Sequence, residues 1–461
     1  MQLFDFTDRL SATLPNIDRQ HVIKFNNSWL RIKQVKGVST YLVAYRAMVF
    51  KNRKGATQYK FADPAPTCPG HPGTPWAEGW NSDREFDGIG IAVVQIDCST
   101  TKSLARSLCV VSDQIIEGSD KHEDPRIFEM GGKFYLHTHQ YFPNSLHEKP
   151  TRKYAPSRKT PSYNYSTVRD SELCVVVTEL EKNEERYELG KTCFYGVNPT
   201  GYWEKNYGFF TDVGCLNAVY GVGDYSDGFA VLQSDAGRIE KTNPYENIPA
   251  KLVRPYGDVE ANSSENCFVQ IEKHLRSFVK DRQRSAFFSS SGPLLRTNGD
   301  RWLGVGHVKV LYKHCIIENS DDPVPNLNKL IHKFLGNGSH IVAVSPEKVL
   351  ENPVSENRGK VILNNGMMYF SFLYEIEKKG RSYGLRRFSN AFIITGPNDP
   401  KMVQFATNLA PIKNGYVLSF GENDFRASVV VLSHREVTRL LKHNASSFSA
   451  TDYDFELIDP C

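Results

Sequence analysis

The sequence predicts an all-β protein, arranged as a five-bladed β-propeller with loop insertions and a short C-terminal helix. Three observations lead there. Short runs of β-branched and aromatic residues recur along the whole chain. Gly, Asn, Asp and Pro separate them, and sustained helical periodicity is rare. The runs also fall into weakly similar units, each a strand ending at a polar cluster, a turn, and a second strand rich in aromatics. Repetition of that kind builds propeller blades.

The strands read most clearly at 39–45, 89–96, 133–139, 173–178, 229–233, 302–311, 368–376 and 429–432. They group into units at 26–97, 124–180, 205–233, 289–377 and 403–432. The division that follows is an N-terminal segment (1–25), a propeller catalytic domain (26–433) and a C-terminal helix and tail (434–461). In the last part Val437, Leu440 and Leu441 stand at helical spacing, which predicts a short amphipathic helix on the final blade. Two insertions interrupt the units. Residues 51–87 are rich in Pro and Gly and read as an irregular loop. Residues 148–170 carry Lys149, Arg152, Lys153, Arg158, Lys159 and Arg169 and read as a basic loop, either a solvated surface or a lure for an anionic ligand.

Composition bounds the function. With 461 residues, 40% hydrophobic and 23% charged, the chain can bury a sizeable core and is not a disordered polymer. A formal charge of +4 is too small for a general nucleic-acid binder. The nine cysteines are scattered, odd in number and without a Cys-x-x-Cys pair, so neither a zinc site nor a disulfide framework is expected. No basic and apolar leader opens the sequence, and no stretch approaches about 18 uninterrupted apolar residues. A cytoplasmic protein with no membrane span and no cofactor is the expectation.

The most informative segment runs from His122 through Glu123-Asp124-Pro125-Arg126 to Gly131-Gly132. An acid pair precedes a proline at the start of a strand, and the glycines turn the chain into the next. In a propeller this puts carboxylates at a strand end beside the central cavity. Glycosyl transfer needs such an acid to protonate the leaving oxygen. An Asp-Pro turn is also a common structural device, so the segment alone does not decide.

Several separate segments together, in order, resemble glycoside hydrolase family 130 and its relative, glycosyltransferase family 108. These are Asn26-Asn27-Ser28-Trp29 with Tyr41 to Arg46, the Glu123-Asp124-Pro125-Arg126 acid motif, and Glu204-Lys205-Asn206-Tyr207. Ser291-Gly292-Pro293-Leu294 leading to His307, and Val403 to Ala406 with Gly421-Glu422-Asn423-Asp424, complete the series. The resemblance implies inverting chemistry on β-mannosides or a related sugar, with Asp124 as general acid acting through a sugar hydroxyl. It implies that Arg46, Lys205 and His307 hold phosphate, free or belonging to a donor, and that Asn26, Arg126, Asn206 and Asp424 contact substrate. The partners would be a carbohydrate acceptor and a sugar-phosphate or nucleotide-sugar donor. Asn27 stands where proline is usual, Phe420 where tyrosine is common and Asn206 where many phosphorylases have aspartate.

Each residue also has a plainer reading. Arg46 and Lys205 are candidates for strand-end ion pairs, His307 for a satisfied core histidine, Arg126 for a brace on Asp124, and Asp424 for a turn cap. A hydrolase on the same fold would need a second carboxylate about 6.5–9.5 Å from the acid, for which Glu123, Asp212 and Asp424 are the candidates. A carbohydrate-binding propeller without catalysis is the reading from a different class. Gly88-Ile89-Gly90 lacks the context of a dinucleotide fingerprint, and Ser289-Ser290-Ser291-Gly292 lacks that of a serine hydrolase. His137 and His139 share a strand face, yet no third metal ligand is evident and no metal is expected.

Overall fold

A strand that is apolar on both faces has to be covered on both, and this requirement organises the chain. The computed structural model describes residues 2–14, 22–50, 84–97, 104–120, 122–143, 171–195, 206–221, 229–244, 246–253, 267–277, 286–311, 327, 329–330, 367–394, 404–422 and 426–458. Among them the strands form five sheets. After β1 (Gln2–Asp5), the first sheet comprises β2 (Val22–Val35), β3 (Val38–Phe50), β4 (Arg84–Asp97) and β5 (Leu108–Ile115). The second comprises β6 (His122–Met130), β7 (Lys133–Pro143), β8 (Ser171–Asn183) and β9 (Arg186–Tyr195). The third comprises β10 (Gly208–Asp212), β11 (Cys215–Gly221), β12 (Ala230–Asp235) and, after the short β13 (Asn247–Ile248) that pairs with β9, β14 (Lys251–Val253). The fourth is built on β15 (Ala286–Ser290), β16 (Leu295–Asn298), β17 (Arg301–Leu311), β18 (Met367–Lys379), β19 (Ser382–Phe388) and β20 (Ala391–Ile394). The last comprises β21 (Gln404–Ile412), β22 (Gly415–Glu422) and β23 (Arg426–Ser433).

Side chains alternate across each strand, and here both faces are buried. Tyr41, Val43 and Tyr45 of β3 pack with Val417, Ala427 and Val429 of the last sheet. Leu42 and Ala44, between them, pack with Ile127, Leu136 and Leu180 of the second. The second sheet in turn packs on the third through Phe128, Val177, Phe209 and Leu216. The third meets the fourth through Phe210, Val231, Trp302 and Phe372, and the fourth meets the last through Leu303, Leu373, Leu418 and Val430. Each sheet is therefore sandwiched between two others, an all-β fold in a β-propeller arrangement. Double coverage also explains why the strands read in sequence as nearly continuous apolar runs.

The described strands of each sequence unit belong to a single sheet. β1 pairs antiparallel with β23, so the N-terminal residues supply the outer strand of the last sheet. Strand β4 begins at Arg84, which corrects the sequence reading of 51–87 as one loop: the polar start Arg84-Glu85 hides four residues of strand. The rest of that insertion, and the basic loop at 148–170, lie outside the described residues.

Helices are short. α1 (Cys267–Ser277) buries Phe268 and Ile271 against the fourth sheet. α2 (His434–Leu440) follows β23 directly and is the C-terminal helix read from the sequence. A capping box starts it: Ser433 Oγ accepts from the Glu436 amide at 3.2 Å and Glu436 Oε2 accepts from the Ser433 amide at 2.6 Å. Val437, Leu440 and Leu441 face inward, as their spacing requires. Beyond it β24 (His443–Asn444) pairs with β19, and β25 (Phe455–Ile458) runs parallel to β20. Among the described residues no helix is long and apolar enough to cross a membrane.

One buried ion pair locks the third sheet to the fourth. Asp212, the last residue of β10, accepts from Lys378 Nζ at 2.6 Å and from the Tyr383 hydroxyl at 2.7 Å. Burial raises the Tyr383 phenol pKa and the Asp212 charge adds to the rise. Asp212→Ala leaves the buried Tyr383 hydroxyl and a partly buried ammonium without their acceptor and should cost about 2 kcal/mol. Urea unfolding of wild type and variant, with an unchanged slope and a lower midpoint, is the expected result.

Candidate active site

The site is built from two β-bulges in the leading strands of adjacent sheets. In β2 the register with β3 runs Phe25↔Arg46 and then Ser28↔Ala44, so Asn26 and Asn27 together oppose one residue. In β6 the register with β7 runs Glu123↔His139 and then Arg126↔His137, so Asp124 and Pro125 do the same. A bulge frees a residue from the ladder and re-aims its side chain. Asn26 and Asp124 both take φ of +50°, and Asn206, just before β10, takes +62°. Asn and Asp tolerate this left-handed region better than other side chains. Three sequence-predicted residues thus share one unusual backbone setting.

Asn26 Nδ2 donates to Asp124 Oδ1 at 2.8 Å. Arg46 Nη1 reaches the same oxygen at 3.3 Å. The rest of the guanidinium is held by two more carboxylates: Nε and Nη2 donate to Asp87 at 2.8 and 2.6 Å in a bidentate pair, and Nη2 lies 3.0 Å from Glu123 Oε1. Its carbon sits 5.3 Å from the Phe25 ring centre. Burial works against the charged guanidinium, but Asp87, Glu123 and Asp124 outweigh it and hold the Arg46 pKa well above the arginine norm. The Asp124 side chain keeps 15% of its surface exposed, enough to meet a ligand.

Arg126 lies deeper and is fully buried. Its Nη1 donates to the Pro125 carbonyl at 3.1 Å and its Nε to the Ser291 carbonyl at 3.0 Å, bridging the acid's bulge to the fourth sheet. The guanidinium lies 5.1 Å from the Phe405 ring centre. Burial pushes its pKa down to about 10, with Asp124 opposing the fall and Arg46 adding to it, so it stays charged at neutral pH. Nη2, and both ring nitrogens of its cross-strand neighbour His137, have no hydrogen-bond partner among the described residues. Burial pushes His137 down to about 3, the Arg126 charge contributing, so the imidazole is neutral.

His307 shares Ser291 with Arg126: its Nδ1 lies 3.0 Å from Ser291 Oγ, and its ring packs 4.5 Å from that of Phe405. Asn206 joins through its backbone, whose amide donates to His139 Nε2 at 3.1 Å. The structure therefore brings Asn26, Arg46 and Asp124 into direct contact, with Arg126, His307 and Asn206 linked around them. Lys205 and Asp424 lie outside the described residues. Asp212 is committed to Lys378 and Tyr383 at the far end of β10 from Asn206. Among the described residues no group of three or more His, Cys, Asp or Glu is placed to hold a metal.

Sequence reasoning missed Asp87. Arg46 pairs in register with Ile89, and Asp87 lies two residues further on the same face, a diagonal cross-strand pair visible only once the register is known. His139 was considered only as a metal ligand, whereas here it anchors the chain at Asn206.

The buried imidazoles make acid stability testable. His122 Nδ1 lies 2.9 Å from Thr138 Oγ1, and burial lowers its pKa from 6.5 to about 4. A depressed imidazole pKa means that, below 6.5, the unfolded chain takes up a proton that the folded chain refuses. The stability His122 leaves intact above that pH is lost as pH falls towards 4, at about 1.4 kcal/mol per unit. Urea titrations from pH 7 to 4.5 should show a shallower decline for His122→Gln than for wild type, by about one proton; parallel curves would contradict the assignment.

No family model matches the sequence, and no curated protein matches it. Solved structures similar to the chain include a β-1,2-mannobiose phosphorylase from Listeria innocua (10% identity, TM-score 0.41, covering 96% of this chain and 99% of that one). A GDP-mannose-dependent mannosyltransferase from Leishmania mexicana is similar at 8% identity and TM-score 0.35 over 97% of this chain and 95% of that one. A glycosyl hydrolase from Bacteroides ovatus is similar at 10% identity and TM-score 0.40 over 90% and 85%.

Proposed function

We propose that this chain is an enzyme of inverting glycosyl transfer, acting on a β-mannoside or related sugar with Asp124 as proton donor, on a five-bladed propeller whose last blade takes β1 as its outer strand. The five sheets and the paired cores between them support that blade count. The observation that carries the functional reading is the setting of Asp124: a partly exposed carboxyl at φ +50°, on a bulge, with Asn26 and Arg46 both on Oδ1. An oxygen that already accepts two donors is the poorer base, so the transferable proton belongs on Oδ2. A left-handed non-glycine residue costs on the order of 1–3 kcal/mol, strain that a site tolerates where it re-aims a working group.

The same geometry weighs the alternatives. Arg46 faces three carboxylates, and the net negative charge there opposes a phosphate anion at that point. Arg46 is better read as part of the acid's frame, leaving phosphate recognition to His307 and Lys205. A hydrolytic base must face the acid across the sugar ring. Glu123 and Asp87 share one guanidinium with Asp124, which puts them on the acid's own side and speaks against that role. A nucleotide-sugar or sugar-phosphate donor with a carbohydrate acceptor remains the leading pairing.

The test is turnover with GDP-mannose, with mannose 1-phosphate, and with β-mannosides in the presence and absence of phosphate, each against a panel of mannoside acceptors. Transfer from one donor class is expected, and Asp124→Asn should lower kcat by about 10²–10⁴-fold. Full turnover by that variant would remove Asp124 from the role, and sugar binding without turnover on any donor would favour a non-catalytic propeller.

A further inference from the structure

We infer that the last sheet positions the proton donor: Gly421 and Asn27 set the Asn26 amide on Asp124, so that Asn26 donates to the acid only when β21–β23 are docked against β2. For its catalytic consequence this rests on the reading of Asp124 given above, whereas the geometry stands independently.

Asn26 and Asn27 are the two residues of one bulge, and they are held from opposite sides. Asn26 reaches Asp124 in the second sheet at 2.8 Å. Asn27 turns the other way and is gripped by β21, β22 and β23 of the last sheet. Its Nδ2 donates to the carbonyls of Phe420 in β22 and Ser428 in β23, at 3.1 and 3.2 Å, and its own carbonyl accepts from Thr407 Oγ1 in β21. Thr407 is in turn fixed by Ser419 Oγ at 2.7 Å, and Asn27, Thr407 and Ser419 are all fully buried. The next turn of the strand is tied as well, since Asn408 accepts from the Trp29 amide at 2.9 Å and donates to the Trp29 carbonyl at 2.7 Å.

Gly421 supplies the remaining constraint. A Cβ on this residue would lie 1.8 Å from Asn26 Oδ1 and 2.9 Å from Asn26 Cγ. The amide therefore lies directly against the β22 backbone, and only glycine leaves it that position. A methyl group at 421 meets the end of a side chain more closely than a backbone, so the fold can accommodate it by rotating the Asn26 amide away from Asp124. Gly421 and Asn27 are positioning residues, acting on the acid through Asn26.

A hydrogen bond donated to a carboxylate favours its charged form, so moving the amide away should raise the acid's pKa. Among the described residues the charged and titratable groups around Asp124 include Arg46, Glu123, Asp87, Arg126 and His137, and Gly421→Ala replaces none of them. The measurement is the carboxyl titration of Asp124 in ¹³C-aspartate-labelled protein, assigned by its disappearance in Asp124→Asn. Gly421→Ala is expected to shift it upward by about half to one pH unit, the worth of one hydrogen bond. Asn26→Ala, which introduces no clash, should reproduce the shift. Ser433→Ala, which removes the α2 cap far from the acid, should lower stability and leave the titration in place. Where turnover is measurable, Gly421→Ala should lower kcat about tenfold and carry the basic limb of the pH profile upward by the same shift. An unmoved Asp124 titration in either Gly421→Ala or Asn26→Ala would overturn the inference, even if activity fell. A shifted titration in a protein with no turnover on any donor would uphold the positioning and refute the catalytic reading instead.

Discussion

The guanidinium of Arg46 is the charge around which the site is assembled. Asp87, Glu123 and Asp124 come from two different sheets, and three carboxylates this close would repel one another without a cation between them. Arg46 is carried on β3, the strand that is covered on both faces, so its backbone is among the least able to move. A cation on such a strand fixes the carboxylates that meet it, and that lets a bulged, strained Asp124 keep one position. Removing the guanidinium would take away the cation that these largely buried carboxylates share, which is why the interaction is structural and electrostatic at once.

Propeller packing explains why such an arrangement sits at the leading strands. Sheets that bury both faces oblige a polar side chain inside them to find a partner there, and a bulge lets it reach one in a neighbouring sheet. β2 packs on both β6 and β21, so residues at its bulge touch two neighbouring sheets within one residue of each other. Asn26 and Asn27 exploit this directly, one facing the acid and the other the last sheet. Where the motif resemblance leads one to expect proline at 27, the side-chain amide of Asn27 supplies the rigidity through hydrogen bonds.

Much of this was legible before any coordinates. The recurrence of strands, the C-terminal helix and the strands at 39–45, 302–311 and 368–376 followed from periodicity and turn residues, because double burial makes strands conspicuous. Asn26, Arg46 and Asp124 were reachable as a set only through ordered motifs, since no local signal links residues 78 positions apart. Asp87 was hidden because its strand opens with Arg84-Glu85, which reads as loop, and because its pairing with Arg46 depends on cross-strand register. Asp212 showed the reverse failure. As an isolated acid after aromatics it looked available for chemistry, but its commitment to Lys378 and Tyr383 needs a contact across 166 residues of sequence.

The recurrence of one backbone setting in successive units also bears on which residue could be the acid. Asn26, Asp124 and Asn206 occupy similar left-handed positions at the starts of three sheets, yet only one carries a carboxyl. Were Asn26 an aspartate, its oxygen would face Asp124 Oδ1 at hydrogen-bond distance, and one of the pair would have to hold a proton permanently. The amide removes that conflict and contributes a donor instead, so a repeat that offers equivalent positions is made asymmetric by a single nitrogen. The backbone supplies the aim several times over, and side-chain identity at 26 and 124 decides where the chemistry can occur.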